Sequence, residues 1–206
     1  FKHSFPSFIG LSRRTKRAGA WLSLFLAVGV AQAQKVPVAE AQLTNGMRVL
    51  MVERHDDPTV AGGWVAHVGS ANERPGMTGI AHLFEHMMFK GTRNVGPGEF
   101  NERVAAVGGR DNAFTGKDYT AYFQQIPPDR LSEMMALEAD RMQHLVLDDE
   151  AFRREIEVVK EERRLRTDDQ PRALVYEQLM ATAFKAHPYR RPVIGWMPDL
   201  EAMKPE

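Results

Sequence analysis

The chain has 206 residues and no cysteine. That excludes disulfide scaffolding, thiolate catalysis, thiolate metal ligands and lipidation through sulfur. Net charge is also missing: 27 basic residues balance 27 acidic ones. Acids are absent from residues 1–33, which hold five basic residues, Lys2, Arg13, Arg14, Lys16 and Arg17. Removing that segment leaves 22 basic against 27 acidic residues. So mildly acidic a body gives no basis for nucleic-acid binding. No internal repeat or low-complexity tract is present. A phosphate loop is missing too. In "GGRDNAFTGKD" six residues rather than four separate Gly109 from Gly116, and Asp118 stands where Ser or Thr is needed.

The one sustained apolar run, about residues 18–31, is shorter than the ~20 residues of a membrane span. It follows "RRTKR" and ends in Ala31-Gln32-Ala33. A positive start, an apolar middle and a small-x-small ending form a secretory signal pattern. The expectation is an N-terminal extension and signal peptide over 1–33, cleaved after Ala33, and an exported protein, periplasmic or secreted. A membrane enters only through that segment if it stays uncleaved. Residues 34–41 read as a linker and 42–206 as the folded domain. At 43% hydrophobic and 26% charged residues the length suits one globular domain, or one and a small part of another.

Asn45-Gly46 is a tight-turn signal, so 43–54 reads as a hairpin. A strand follows from Val60 to Val68, weakened by Gly62-Gly63. Thr78 is placed to cap a helix over 79–89, and a short helix from Pro97 to Val107 stops at Gly108-Gly109. Two strands flank Gly116-Lys117. After Pro127-Pro128 the pattern turns helical: Leu131, Met134, Met135, Leu137, Met142 and Leu145 form one apolar face. A second helix runs from an Asp148 cap to about Arg166 and a third from Gln170 to Phe184. The segment from His187 onward reads as loop and ends at a helix start. Strands first and helices after predict an α+β fold, with helices packed on a mostly antiparallel sheet.

"AHLFEHMMFKGT" (81–92) places two histidines and a glutamate in an apolar helix. His82 and His86, four residues apart, project from one face about 6 Å apart along the axis. Two imidazoles so placed can share one zinc at ~2.0–2.1 Å. Glu85 borders that face and reaches a water at the metal without being a ligand. H-x-x-E-H is a zinc-peptidase signature; the alternative is a chance cluster on a half-exposed helix. A catalytic zinc needs a third protein ligand. In "REIEVVKEERRLRT", Glu155, Val158, Glu162 and Leu165 fall on one stripe. Arg154, Glu157, Glu161 and Arg164 fall on the next, which can pair within itself in solvent. Carboxylates in an apolar stripe need compensation. Glu162 is therefore the candidate third ligand and Glu155 its supporting partner; an exposed helix with a ragged stripe is the alternative. His55, His67, His144 and His187 show no spacing that points to a metal and read as structural or exposed, and Tyr122 and Met134-Met135 read as core.

Taken together, "VGSANERPGMTGIAHLFEHMMFKGT", "NAFTGKDYTAYF", "EIEVVKEE" and "PYRRPVIGW" resemble the pitrilysin/insulinase-type zinc metallopeptidases, in the branch that includes the mitochondrial processing peptidase β-subunit. The resemblance runs from about residue 42 onward. In the family register the ligand glutamate falls on Glu162, 76 positions after His86, and Glu155 matches a supporting acid. The resemblance implies the N-terminal half-domain of such an enzyme, with one Zn2+ per chain, and a zinc-dependent endopeptidase acting on peptides or unfolded polypeptides. Glu85 would be its general base. Asn112 and Ala113 match positions that take up substrate by strand addition. It further implies a chamber of homologous halves, in which a C-terminal half or a homologous partner subunit supplies an Arg-Tyr pair. A non-catalytic binding or assembly subunit on the same fold is the competing expectation, as is a fragment inactive without its C-terminal half.

Overall fold

A computed structural model describes residues 36–205. The signal-type segment 1–33 lies outside the described residues. The chain divides after Arg54 into two units.

In the first unit, β1 (Ala39–Gln42) pairs antiparallel with β2 (Arg48–Met51), Ala39 opposite Met51. The hairpin therefore begins upstream of Leu43, inside the stretch expected to be linker. Its turn is longer than a two-residue Asn-Gly turn. Leu43 N–H donates to Met47 O at 2.8 Å, Met47 N–H to Asn45 Oδ1 at 3.1 Å, and Gly46 takes φ 89°. Asn45-Gly46 thus sits within a five-residue closure, which moves the first strand back.

In the second unit, β3 (Val60–Ala66), β4 (Arg110–Thr115) and β5 (Thr120–Ile126) form an antiparallel sheet ordered β3-β5-β4. The sheet matches the expected α+β layout, with β5 central and β4 an edge. Gly63 does not weaken β3. A Cβ there would stand 2.2 Å from the Tyr122 carbonyl oxygen, so glycine is what lets β3 approach β5. Stacked rings of Trp64 and Tyr122, centroids 4.4 Å apart, cover the same point of the ladder.

Six helices complete the unit: α1 (Ile80–Met87), α2 (Glu99–Ala106), α3 (Leu131–His144), α4 (Asp149–Arg163), α5 (Pro171–Ala183) and α6 (Met197–Ala202). The last falls near the end of the loop-like segment, where a helix start was expected. Asp148 caps α4 as expected, accepting from Ala151 N–H at 2.8 Å. Thr78 does not cap α1. Its hydroxyl donates to Asp199 at 2.5 Å and accepts from Trp196 N–H, tying the start of α1 to α6. The cap is instead the buried Glu73, which accepts from Gly79 N–H at 2.9 Å and Ala81 N–H at 3.0 Å. A carboxylate at a helix N-terminus meets both orphan donors and the dipole.

Two apolar clusters hold these layers. Val95, Phe100, Val104, Ile126, Met134 and Leu137 join α2 and α3 to the sheet. Leu83, Ile156, Val159 and Leu200 join α1, α4 and α6; each contributes ~1.5–3 kcal/mol by full burial. The expected apolar face of α3 is only half right. Met134 and Leu137 are buried, but Met135 and Met142 are exposed. The buried positions beside them carry Glu138 and Arg141, a pair bonded at 2.6 and 2.7 Å. Trp64 Nε1–H and the Gln124 amide also donate to Glu138, and Arg141 lies 4.3 Å from the Phe100 ring centroid. Their mutual neutralisation makes the burial tolerable.

Candidate metal centre

Helices α1 and α4 pack through Leu83, Ile156 and Val159, and this contact sets the site. It turns His82 and His86 of α1 toward Glu162 of α4. Glu162 Oε2 stands 3.4 Å from His86 Nε2 and 3.8 Å from His82 Nε2. One donor atom from each residue lies within 4.8 Å of the others. Tetrahedral zinc with ligands at ~2.0–2.2 Å separates them by about 3.3–3.5 Å. The chemistry fits as well, since imidazole and carboxylate are zinc donors.

Each donor is held differently. His86 Nδ1 lies 2.9 Å from Glu155 Oε1, and Lys90 Nζ lies 2.6 Å from Glu155 Oε2. A carboxylate only accepts, so His86 carries a proton on Nδ1 and presents Nε2 to the cavity. Hydrogen bonding to Glu155 and then to Glu162 outweighs burial and lifts His86 to a pKa of about 9. Burial, with the neighbouring His86 charge, drives His82 down to about 4 against the pull of Glu162. His82 Nδ1 is buried and has no hydrogen-bond partner. The bond to His86 holds Glu162 below the usual carboxylate range against burial, with His82 and Arg166 adding to it. Arg166, at 2.7 Å, occupies Glu162 Oε1 and leaves Oε2 for the histidines. Burial opposes the charge on Glu155, but His86 and Lys90 keep its pKa depressed.

Glu85 faces the same cavity. Its Oε2 accepts from Thr115 Oγ1–H at 2.5 Å. Burial raises its pKa, and the bond from Thr115 opposes the rise. The cavity, of about 810 Å3, is lined by His82, Glu85, His86, Glu162 and the Asn112–Thr115 stretch of β4, with Tyr176, Met180 and Ile194 on its wall. Asn112 is exposed and accepts from the Ala113 N–H at 2.9 Å. One side of β4 is paired with β5; its other side borders the cavity. Lys117 Nζ bonds the carbonyls of Tyr189 and Arg191, tying the β4–β5 turn to the "PYRRP" loop on the cavity wall.

All seven residues singled out in the sequence, His82, Glu85, His86, Asn112, Ala113, Glu155 and Glu162, gather here. The stripe that led to Glu162 needs correction, however. Val158 is 49% exposed and Leu165 59%, so that stripe is not apolar packing. Ile156 and Val159 pack instead, and Glu155 and Glu162 flank them on the side turned to α1. The charged stripe faces outward, but only Glu161–Arg164 pairs within it; Glu157 pairs with Lys160 and Arg154 with Glu150. Lys90, Thr115 and Arg166 were missed. Lys90 had a signal, being one turn beyond His86. Among the other histidines, His144 pairs with Asp140 at 2.9 Å and His187 caps its own turn.

Residues 48–196 match the family model of the insulinases, peptidase family M16. A zinc protease of Helicobacter pylori, PqqE, is 40% identical over 77% of this chain and 36% of its own length. Subunit 1 of the bovine mitochondrial cytochrome b-c1 complex is 32% identical over 88% of this chain and 38% of its own. A crystal structure of a protease from Helicobacter pylori superposes with a TM-score of 0.79 at 37% identity, covering 82% of this chain and 41% of that one. The chain thus spans less than half the length of these relatives.

Proposed function

The chain belongs to the insulinase family of peptidases, M16, and from that premise we propose that it carries the zinc site of a metalloendopeptidase cleaving peptides or unfolded polypeptides. The observation that carries this reading is the convergence of three metal donors and one free-ended carboxylate, Glu85, on one cavity. His82, His86 and Glu162 hold one zinc. The bound ion supplies Lewis acidity, polarising a carbonyl oxygen and making water acidic near neutral pH. Glu85 Oε1 takes the proton of the attacking water and delivers it to the leaving amine as the C–N bond breaks. Its raised pKa suits a group that must both accept and release a proton. Glu155 orients His86. The open side of β4 at Asn112 and Ala113 pairs with an extended peptide through backbone groups, so shape and extension weigh more than any one side chain.

The Arg-Tyr pair expected from a C-terminal half or partner subunit belongs to the same proposal. So does export: the mature protein would begin at Gln34, which N-terminal sequencing reads directly. Similarity to a cytochrome b-c1 subunit favours one second reading, an assembly subunit on the same fold. One experiment separates the two. Zinc-loaded full-length protein is incubated with an unfolded peptide, with and without chelator, beside Glu85→Gln. Chelator-sensitive cleavage that Glu85→Gln abolishes while retaining zinc supports the peptidase. No cleavage, or equal cleavage by Glu85→Gln, sinks it.

A further inference from the structure

Thr115 is the last residue of β4, and its hydroxyl donates to Glu85 Oε2 at 2.5 Å. The hydroxyl's direction is not free. The neighbouring Thr120 hydroxyl, 3.4 Å away, already gives its single proton to Val68 O at 2.8 Å. Glu85 as a carboxylate can only accept. The Thr115 proton therefore goes to Glu85 Oε2.

We propose that Thr115 is the positioning residue for Glu85: it immobilises Oε2, so that Oε1 is the oxygen that exchanges protons in the cavity. Thr115 is not one of the three metal donors and acts through Glu85, so this assignment rests on the reading of Glu85 as the base. It also joins two functions in one strand. The segment that offers its open side to a peptide at Asn112 and Ala113 ends in the residue that holds the base. A peptide pairing with β4 steadies the same backbone that carries Thr115. Binding an extended chain and aligning the proton acceptor become parts of one event, which suits a peptidase whose substrates lack a shared side chain.

Thr115→Val removes only the hydroxyl, and valine suits a strand. In the zinc-loaded full-length protein, kcat should fall about tenfold or more, as for loss of a hydrogen bond to a charged group. KM and zinc content should stay at wild-type values, and Thr115→Ser should recover most of the loss. A second readout needs no activity. In metal-free protein at fixed pH, the Glu85 carboxyl carbon resonance is assigned by its absence in Glu85→Gln. It should shift in Thr115→Val and stay put in Thr115→Ser. An unshifted resonance in Thr115→Val overturns the proposal whatever the rate does, and so does wild-type kcat. If Thr115→Val does not fold, Thr115→Ala against Thr115→Ser carries the same contrast. The two claims fail separately: cleavage by Glu85→Gln ends the peptidase reading, while the resonance still reports on the Thr115 bond.

Discussion

Helix α4 carries glutamates on two sides, and they lead different lives. Glu157 and Glu161 point to solvent, where they pair with Lys160 at 2.7 Å and Arg164 at 2.8 Å. Glu155 and Glu162 turn inward and meet the histidines of α1. Composition is the same on both sides, and so is the helix. What differs is the partner. An exposed ion pair competes with water and salt and is worth little. A half-buried carboxylate beside an imidazole has less water to fall back on, so its partner weighs more in its charge, its orientation and what it can bind. The difference teaches that a site is made by packing one helix against another, here through Leu83, Ile156 and Val159.

Substitutions along α4 sharpen that comparison. Glu162→Ala should have the largest effect, lowering zinc affinity beyond the ~100-fold ceiling seen for outer partners of a ligand, as titration with zinc after chelation would show. Glu155→Gln should follow, with a loss of ~10–100-fold, because His86 stays but its orientation is no longer enforced. The histidines supply a pH signature. In metal-free protein His86, raised to about 9, adds stability that is complete below its ordinary 6.5 and lost as pH rises through about 9. His82, lowered to about 4, adds stability that is complete above 6.5 and lost as pH falls toward 4. From this pair the metal-free unfolding midpoint should peak near pH 6.5, and Glu155→Gln should remove most of the alkaline fall. Zinc binding at pH 7 should release about one proton, from His86, measurable as a buffer-dependent binding enthalpy; two protons would mean that His82 is also charged. Smallest of all, Glu161→Gln should leave zinc affinity and the unfolding midpoint unchanged, and a loss of zinc there would break the comparison.

Much of this was legible in the sequence because it is local. H-x-x-E-H at helical spacing gives His82, Glu85 and His86 directly, and the strand–helix order gives the α+β layout. Glu162 was reached by spacing and by a stripe, yet the stripe's apolar members Val158 and Leu165 proved exposed. Periodicity finds a face; it does not say which neighbour the face meets. The misses share that cause. Thr78 looked like a cap because it precedes the helix, but Glu73, six residues before Gly79, folds back to do it. Arg141 was no part of the apolar face read from the sequence, and only the tertiary meeting with Glu138 and three aromatic rings makes it core. Thr115 and Glu85 are thirty positions apart, and no local pattern joins them.

The central claim is that α1 and α4 together hold one zinc. Anomalous scattering at the zinc edge from crystals of the zinc-loaded full-length protein tests it without reference to activity. A strong peak is expected, bonded to His82 Nε2, His86 Nε2 and one oxygen of Glu162, each at ~2.0–2.2 Å, with Glu85 near but not bonded. A peak elsewhere, or none between these three side chains, would contradict it.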